Sequence, residues 1–127
     1  MSGPANAGLF IYAVDMVKVS GFYQEILKMD VLHQRDDLVV LQSSDIQLLI
    51  HKIPDDIASG ITITTPPARR EQCALKFFFT VESLAQARSE AASLGGEVYQ
   101  ETWQGPGFVA CNAIDPEGNV MQLREGI

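Results

Sequence analysis

Four polar side chains stand on predicted strands where they can take part in binding or acid–base chemistry: Tyr12, His51, Gln122 and Arg124. A histidine beside a tyrosine can transfer protons, but the chain spacing of Tyr12 and His51 does not by itself bring them together. The alternative for His51 is a histidine at the rim of a sheet. No Ser-His-Asp order is present, and the Gly-Pro-Gly segment at 105–107 lacks the amide donors of a phosphate-binding loop.

The histidines and cysteines do not have the spacing of a metal site. His33 and His51 fall in different predicted strands of the same half of the chain, with no H-x-H or HExxH pattern, which favours surface positions. Cys73 and Cys111 have no CxxC spacing. The N-terminus has no basic region followed by an apolar stretch, so we expect no export signal, reduced thiols and a cytoplasmic location.

Length and charge narrow the function classes. The chain has 127 residues, of which 46% are hydrophobic and 20% charged, as expected for a single domain with its own core. The chain has nine basic and 16 acidic residues, for a net charge of −7. This negative charge disfavours nucleic acid and anionic membranes as partners. The longest apolar run, residues 9–14, is too short to span a membrane. This charge favours a neutral or cationic small molecule as the ligand.

The first half of the chain predicts the order β-α-β-β-β. Residues 8–14 form an apolar run rich in aromatic and β-branched side chains, typical of a buried strand. Asp15 is a good N-cap for a helix over residues 16–28, where apolar side chains recur every three or four positions. Polar turns then separate three strands, at residues 31–34, 38–42 and 46–53.

The second half predicts the same order again. Its elements are a strand at 74–81, a helix at 83–94 that ends before Gly95-Gly96, and strands at 97–102, 108–114 and 120–125. Turns are predicted at 104–107 and 115–119. The proline-containing residues 54–72 predict an irregular linker that can fold over part of the domain, with a short edge strand at 61–65.

The two halves align as a repeat. At an offset of 67, Val14 and Asp15 meet Val81 and Glu82, and by the last strand the offset has grown to 73. The extra residues fall in loops, where insertions are tolerated. We therefore predict one domain over residues 1–127, with module one at about 8–53, a linker at about 54–72 and module two at about 73–126.

This layout resembles the vicinal oxygen chelate superfamily, the group of glyoxalases, bleomycin resistance proteins and extradiol dioxygenases. The resemblance covers residues 8–125 and is carried by Val14-Asp15, Phe22-Tyr23, residues 79–84, Leu94-Gly95-Gly96 and, above all, the Asp-Pro-Glu-Gly-Asn-Val segment at 115–120. It implies an α+β fold in which two tandem βαβββ modules form a cupped mixed sheet around a cavity, often as a homodimer.

The resemblance also implies where metal ligands would lie. Family members that chelate a metal carry a His or Gln early in the first strand of each module and a Glu in the last strand, which corresponds here to Gly8, Leu75, Leu49 and Gln122. A shift of one residue replaces Leu75 with Lys76, which binds no metal either. Since only Gln122 offers a donor atom, we expect no catalytic metal and no cofactor.

Strand alternation then selects the side chains that line the cavity. If position 8 faces the cavity, Leu75 and Val120 do so too, and the predicted ligand-binding residues are Phe10, Tyr12, Gln47, Leu49, His51, Phe77, Phe79, Gln122 and Arg124, with Trp103 on a loop at the mouth. An aromatic pocket with a few polar groups is typical of a small-molecule site. The alternative is that Phe10, Phe77 and Phe79 simply fill the core.

Three functions remain open at this point. The first is a metal-free protein that binds an apolar or cationic small molecule, like the antibiotic-binding members of the superfamily. The second is a lyase, isomerase or dioxygenase with a non-standard metal site. The third is a structural or regulatory domain without a ligand. In each case the open edges of the sheet predict a two-fold homodimer.

Overall fold

The computed structural model describes residues 4–127. Residues 1–3 lie outside the described residues. The part of the export-signal prediction that concerns these three residues lies outside them as well. The elements in chain order are β1 (Gly8–Ala13), α1 (Met16–Leu27), β2 (Asp30–Arg35), β3 (Leu38–Gln42), β4 (Gln47–Lys52), α2 (Asp55–Ala58), β5 (Phe77–Thr80), α3 (Leu84–Ser93), β6 (Glu97–Gly105), β7 (Phe108–Ile114) and β8 (Val120–Gly126).

The eight strands confirm two βαβββ modules. Sheet one has the order β1-β4-β3-β2 and sheet two the order β5-β8-β7-β6. In both sheets the first strand pairs in parallel with the last, and the remaining pairs are antiparallel. Each module thus contributes a four-stranded mixed sheet, which confirms the predicted α+β fold of two tandem βαβββ modules.

The ends of α1 follow from local chemistry. The Asp15 carboxylate accepts a hydrogen bond from the Lys18 backbone N–H at 3.1 Å, which satisfies one of the free donors of the first turn. At the other end Lys28 adopts a left-handed conformation with φ 55°, the usual way to stop a helix. Between these ends the helix buries one apolar face, which includes Val19, Phe22 and Ile26.

Helix α3 is fixed by two side chains from different elements. The Ser83 hydroxyl accepts from the Gln86 N–H at 3.0 Å, and the Glu125 carboxylate, at the end of β8, accepts from the Leu84 N–H at 2.7 Å. Two of the free donors of the first turn therefore have partners. The carboxylate also complements the positive end of the helix dipole.

One hydrophobic core joins both modules. It includes Phe22 and Ile26 of α1, Leu48 and Ile50 of β4, and Leu123 of β8. These five side chains are all at most 2% exposed. Burial of a side chain of this size contributes about 1.5–3 kcal/mol, so the modules stabilise each other.

The linker differs from its prediction in two ways. Residues 55–58 form the short helix α2, whose first turn carries Asp55 and Asp56, acidic residues that favour the N-terminal end of a helix. Residues 61–65 form no strand. The Ile61 N–H bonds instead to the carbonyl of Ala58, and Pro66 and Pro67 have no N–H to offer a neighbouring strand.

The predicted turn at 104–107 is also shorter than expected. Strand β6 continues through Gly105, which pairs with Phe108, so only Pro106 and Gly107 lie between β6 and β7. None of the helices in residues 4–127 has the length and apolar content needed to span a bilayer.

Candidate ligand-binding site

Each sheet has an inner face packed against the helices and an outer face turned away from them. In sheet one, Leu48 and Ile50 are fully buried on the inner face, while Phe10 and Tyr12 are 53% and 59% exposed on the outer face. Tyr12 pairs with His51 across β1 and β4, so the two lie on the same face. Strand alternation places Gln47 and Leu49 on that outer face as well.

In sheet two, the register of β5 corrects the predicted facing of three phenylalanines. Phe77 and Phe79 pair with Met121 and Leu123, which are buried on the inner face. Phe78 is the residue that shares the outer face with Gln122 and Arg124. The prediction that Phe77 and Phe79 share that face is wrong because the modules are offset by 68 residues in this strand, not 67.

A cleft lies between the free edges of β1 and β5. Its volume is about 290 Å³. Most of its lining is apolar or aromatic: Leu9, Phe10, Ile11, Tyr12, Tyr23, Arg70, Cys73, Leu75, Phe77, Phe79, Asn119, Val120 and Met121. Four of the predicted ligand-binding residues therefore come together here, namely Phe10, Tyr12, Phe77 and Phe79.

The other predicted site residues lie outside this cleft. Gln47, Leu49 and His51 are on the outer face of sheet one, and Gln122 and Arg124 are on the outer face of sheet two. Trp103 is not on a loop at a mouth. It is a residue of β6, paired with Ala110 and 38% exposed. Trp103 falls within a strand because β6 extends to Gly105, beyond the predicted strand end at residue 102.

Tyr12 and His51 meet on the outer face of sheet one. Their ring centroids are 5.7 Å apart, and Phe10 stacks on Tyr12 at 6.1 Å. Nδ1 of His51 lies 2.8 Å from the Lys52 carbonyl oxygen, which assigns the proton of a neutral imidazole to Nδ1 and leaves Nε2 free to accept. The contact between Tyr12 and His51 is one of ring packing, and no hydrogen bond between the two side chains is found within residues 4–127.

Arg124 is held by three neighbours on the outer face of sheet two. Its guanidinium carbon lies 3.7 Å from the ring centroid of Phe78 and 4.1 Å from that of Phe108. Its Nε donates to Oε1 of Gln122 at 2.6 Å. Lys76 directly precedes β5, and its Nζ lies 6.0 Å from the ring centroid of Trp103 in β6. Cation–π contacts of this kind favour fixed orientations.

The positions implied for metal ligands carry few donor atoms. Phe10 pairs with Leu49 and Phe78 with Gln122, so the equivalent of Gly8, two residues before Phe10, is Lys76. The sequence analysis assigned this metal-ligand position to Leu75, which lies one residue before it. A glycine, a leucine, a lysine and one amide do not fit a divalent cation. In residues 4–127, no group of three or more His, Cys, Asp or Glu side chains is arranged to hold a metal ion.

The turn at residues 115–119, which we call the clasp, joins the two modules through buried hydrogen bonds. Its Asp115 accepts hydrogen bonds from the phenol of Tyr23 and from the side chain and backbone of Asn119, and Glu117 accepts from the N–H groups of Val14 and Asp15. Both carboxylates are almost fully buried. This motif, which carries the resemblance, links module two to the start of α1 in module one, and its Asn119 lines the cleft.

Tyr23 has an environment unlike that of an exposed phenol. Burial raises the pKa of Tyr23 well above its ordinary value, and the Asp115 carboxylate raises it further through its charge and its hydrogen bond. Tyr23 therefore stays neutral and donates to Asp115 at 2.8 Å. Its ring stacks edge-on to Phe79 at 6.3 Å, which fixes one wall of the cleft.

Two polar residues of the cleft were not predicted: Arg70 in the linker and Cys73, which directly follows it. Arg70 donates from Nε to the Glu117 carbonyl at 3.0 Å, and Cys73 is an exposed free thiol. Loops carry no periodicity from which a facing direction can be predicted. Only the tertiary fold of the linker over the 115–119 turn brings them to the cleft.

The comparisons with known proteins agree with this architecture. A family model described as a glyoxalase-like domain matches residues 8–124. The chain belongs to the glyoxalase-like family. A search among curated proteins finds no matching sequence.

Solved structures of this superfamily share the fold of this glyoxalase-like protein. A glyoxalase/bleomycin resistance protein/dioxygenase family enzyme from Burkholderia phytofirmans PsJN superposes with a TM-score of 0.69 at 13% identity, over 98% of this chain and 100% of that one. The fosfomycin resistance protein FosX from Listeria monocytogenes gives 0.65 at 14% identity, over 100% and 94%. Lactoylglutathione lyase from Agrobacterium tumefaciens gives 0.60 at 20% identity, over 99% and 96%. These similarities establish the fold.

Proposed function

We propose that this protein binds a small apolar molecule in the cleft between β1 and β5, without a metal ion. The observation that carries the proposal is the convergence of Phe10, Tyr12, Phe77 and Phe79 on one cleft of about 290 Å³. An apolar, concave site with few polar groups is the usual form of a small-molecule pocket. Tyr12 and Phe10, both more than half exposed, lose water contact when a ligand covers them.

The charges around the cleft narrow the ligand class. The net charge of −7 favours a cation at long range. The lining within residues 4–127, however, includes no acidic side chain and does include Arg70. A cationic ligand would therefore lie beside a cation with no carboxylate to compensate it. A neutral apolar molecule with one hydrogen-bond acceptor for Arg70 fits the cleft better.

The proposal includes a second copy of the chain. Strands β1 and β5 are edge strands of their sheets, and the outer faces expose aromatic side chains, among them Phe10, Tyr12 and Phe78. Exposed edges and apolar patches favour association. We expect a homodimer of twice the 13.9 kDa chain mass. A 13.9 kDa species alone in light scattering at micromolar concentration would contradict this part of the proposal.

We further propose that the protein is located in a reducing compartment, the cytoplasm. Cys73 and Cys111 are both free, one exposed and one buried. An exposed thiol without a disulfide partner is typical of a reducing environment.

A second candidate function is an enzyme of the same superfamily, a lyase, isomerase or dioxygenase with a non-standard metal site. The observation that favours it is the contact of Tyr12 with His51, in which Nε2 of the imidazole is free to act as a base. The two candidates differ in metal dependence. Elemental analysis after dialysis without chelator should find far less than one metal ion per chain if the metal-free proposal holds. Near-stoichiometric zinc, nickel, iron or manganese that is lost when Gln122 is substituted would favour the enzyme.

The experiment for the cleft uses the two adjacent phenylalanines of β5 as a matched pair. A neutral fluorescent probe, N-phenyl-1-naphthylamine, is titrated into the wild type, Phe77→Ala and Phe78→Ala after chelator treatment. Phe77 lines the cleft and Phe78 lies on the opposite face of the same strand. We expect Phe77→Ala to weaken binding by about tenfold or more, from the lost apolar contact, and Phe78→Ala to change it by less than about twofold. Equal effects of the two variants, or no saturable binding by the wild type, would refute the cleft.

A further inference from the structure

The linker forms a cavity of its own, to which no strand of either sheet contributes. Its volume is about 330 Å³, and apart from Glu117 every residue that lines it lies between positions 61 and 70. The lining combines three apolar residues, Ile61, Ile63 and Ala68, with two cations, Arg69 and Arg70. We call it the linker cavity. It shares only Arg70 with the cleft between β1 and β5.

Arg70 is held in place by the clasp. Its backbone N–H donates to the Gly118 carbonyl at 3.0 Å, and its Nε donates to the Glu117 carbonyl, also at 3.0 Å. A guanidinium has five N–H donors, and no hydrogen-bond partner is found within residues 4–127 for those on the two terminal nitrogens of Arg70. These donors are available to an external acceptor.

Arg69 brings a second guanidinium to the same cavity. Its guanidinium carbon lies 5.1 Å from the ring centroid of Tyr99, a cation–π contact that favours one orientation. Its Nε lies 3.3 Å from Oε1 of Glu71, whose side chain is 72% exposed. An ion pair so open to water contributes little. Arg69 can therefore exchange this partner for a better one.

The one carboxylate that borders the linker cavity is already engaged. Glu117 accepts hydrogen bonds from the N–H groups of Val14 and Asp15 at 3.0 and 2.7 Å, and it is 3% exposed. It forms no ion pair with Arg69 or Arg70 among residues 4–127. The positive charge of the two arginines is thus opposed only by the exposed Glu71. In a chain with 16 acidic residues, this local excess of positive charge indicates a place for an external anion.

From this arrangement we propose that the linker cavity binds a phosphate monoester, whose oxygens accept hydrogen bonds from the terminal nitrogens of Arg69 and Arg70. Such an ester carries a charge of about −1.5 to −2 at pH 7, which matches two guanidinium groups better than the single charge of a carboxylate does. Guanidinium–phosphate pairs are frequently bidentate. The hydroxyl of Thr62 is a further donor, and Ile61 and Ile63 contact the organic part of the ester.

The ligand test uses phenyl phosphate as the probe, with phenol and inorganic phosphate as controls. Isothermal titration calorimetry at about pH 8, where the ester is a dianion, and at constant ionic strength should show saturable binding of phenyl phosphate below about 10 mM. Phenol should show no saturable binding. Inorganic phosphate should bind at least about threefold more weakly, because it has no apolar group for the isoleucines. The absence of saturable phenyl phosphate binding would overturn the proposal, as would equal affinity for either control.

Three variants locate the site. Arg69→Gln removes one guanidinium and should weaken phenyl phosphate binding about tenfold. Glu71→Gln removes the competing carboxylate and should strengthen binding by about twofold or more. Arg35→Gln, the matched control, removes an exposed arginine that is paired with Asp37 in sheet one and should keep the affinity within about twofold of the wild type. Wild-type affinity in Arg69→Gln, weaker binding in Glu71→Gln or an equal loss in Arg35→Gln would refute the site.

Further controls separate binding from folding and from the cleft. Circular dichroism and thermal unfolding report whether each variant is folded, and Thr62→Val, which should weaken binding about threefold, is an independent change if Arg69→Gln is unstable. Arg69 does not line the cleft, so Arg69→Gln should keep the affinity for N-phenyl-1-naphthylamine within about twofold. Phe77→Ala should do the same for phenyl phosphate. If Phe77→Ala abolishes phenyl phosphate binding, the ester binds in the cleft and the linker site does not exist.

Discussion

The phenol of Tyr23 in α1 donates a 2.8 Å hydrogen bond to Oδ2 of Asp115, 92 positions later in the chain. Both residues are buried, so the bond forms without competition from water. It links the helix of module one to the turn that precedes the last strand of module two. The relative position of the modules, and with it the cleft between β1 and β5, depends on this contact.

Replacement of Tyr23 by phenylalanine should destabilise the protein by about 1–3 kcal/mol, because it leaves a buried carboxylate oxygen with one donor fewer. Urea unfolding followed by circular dichroism measures the free energy of unfolding. Tyr12→Phe is the matched control, since Tyr12 is more than half exposed, and it should change stability by less than about 0.5 kcal/mol. Equal stabilities of the two variants would show that the Tyr23–Asp115 bond does not hold the modules.

The raised pKa of Tyr23 predicts a loss of stability at alkaline pH. Its pKa is higher in the folded protein than in the unfolded chain, because burial and Asp115 disfavour the phenolate. The stabilisation is thus fully present below the unfolded value of about 10 and is lost as the pH rises through the folded value. Unfolding free energies measured on both sides of pH 10 should fall more steeply for the wild type than for Tyr23→Phe. Parallel curves would contradict this assignment.

Gly118 and Gly107 provide a matched pair for the role of the clasp. Both have positive φ, 84° and 81°, and a Cβ on Gly118 would collide with the backbone of Ala68 whereas a Cβ on Gly107 meets no atom within 4 Å. Gly107→Ala should therefore cost only the strain of the left-handed backbone, about 1–2 kcal/mol. Gly118→Ala should cost at least about 2 kcal/mol more, because the linker must move away from the turn. Urea unfolding compares the two, and equal losses would mean that the linker does not pack on this turn.

Element order and helix positions could be predicted because helices and strands have different periods. The apolar residues of α1 recur at helical spacing, and the alternation in β8 places Gln122 and Arg124 on the face opposite Met121 and Leu123, as the structure confirms. The repeat of one order in both halves then predicts two modules.

The facing of β5 could not be predicted from its own residues. Phe77, Phe78 and Phe79 are identical, so the strand carries no alternation to distinguish the inner face from the outer one. Only the pairing with β8 settles the register. Arg70 and Cys73 were missed for a related reason, since both lie in the irregular segment between α2 and β5, whose path brings them to the cleft.

The most direct measurement of the central claim is the reactivity of the Cys73 thiol. Cys73 is exposed in the cleft, whereas Cys111 is fully buried and burial raises its pKa, so Cys73 is the thiol expected to react with iodoacetamide. Cys73→Ser provides the background rate. In chelator-treated protein, N-phenyl-1-naphthylamine at about ten times its Kd should slow alkylation of Cys73 about tenfold, with no further effect of added divalent metal. An unchanged rate at saturation, or protection that requires a divalent metal, would contradict a metal-free ligand site in this cleft.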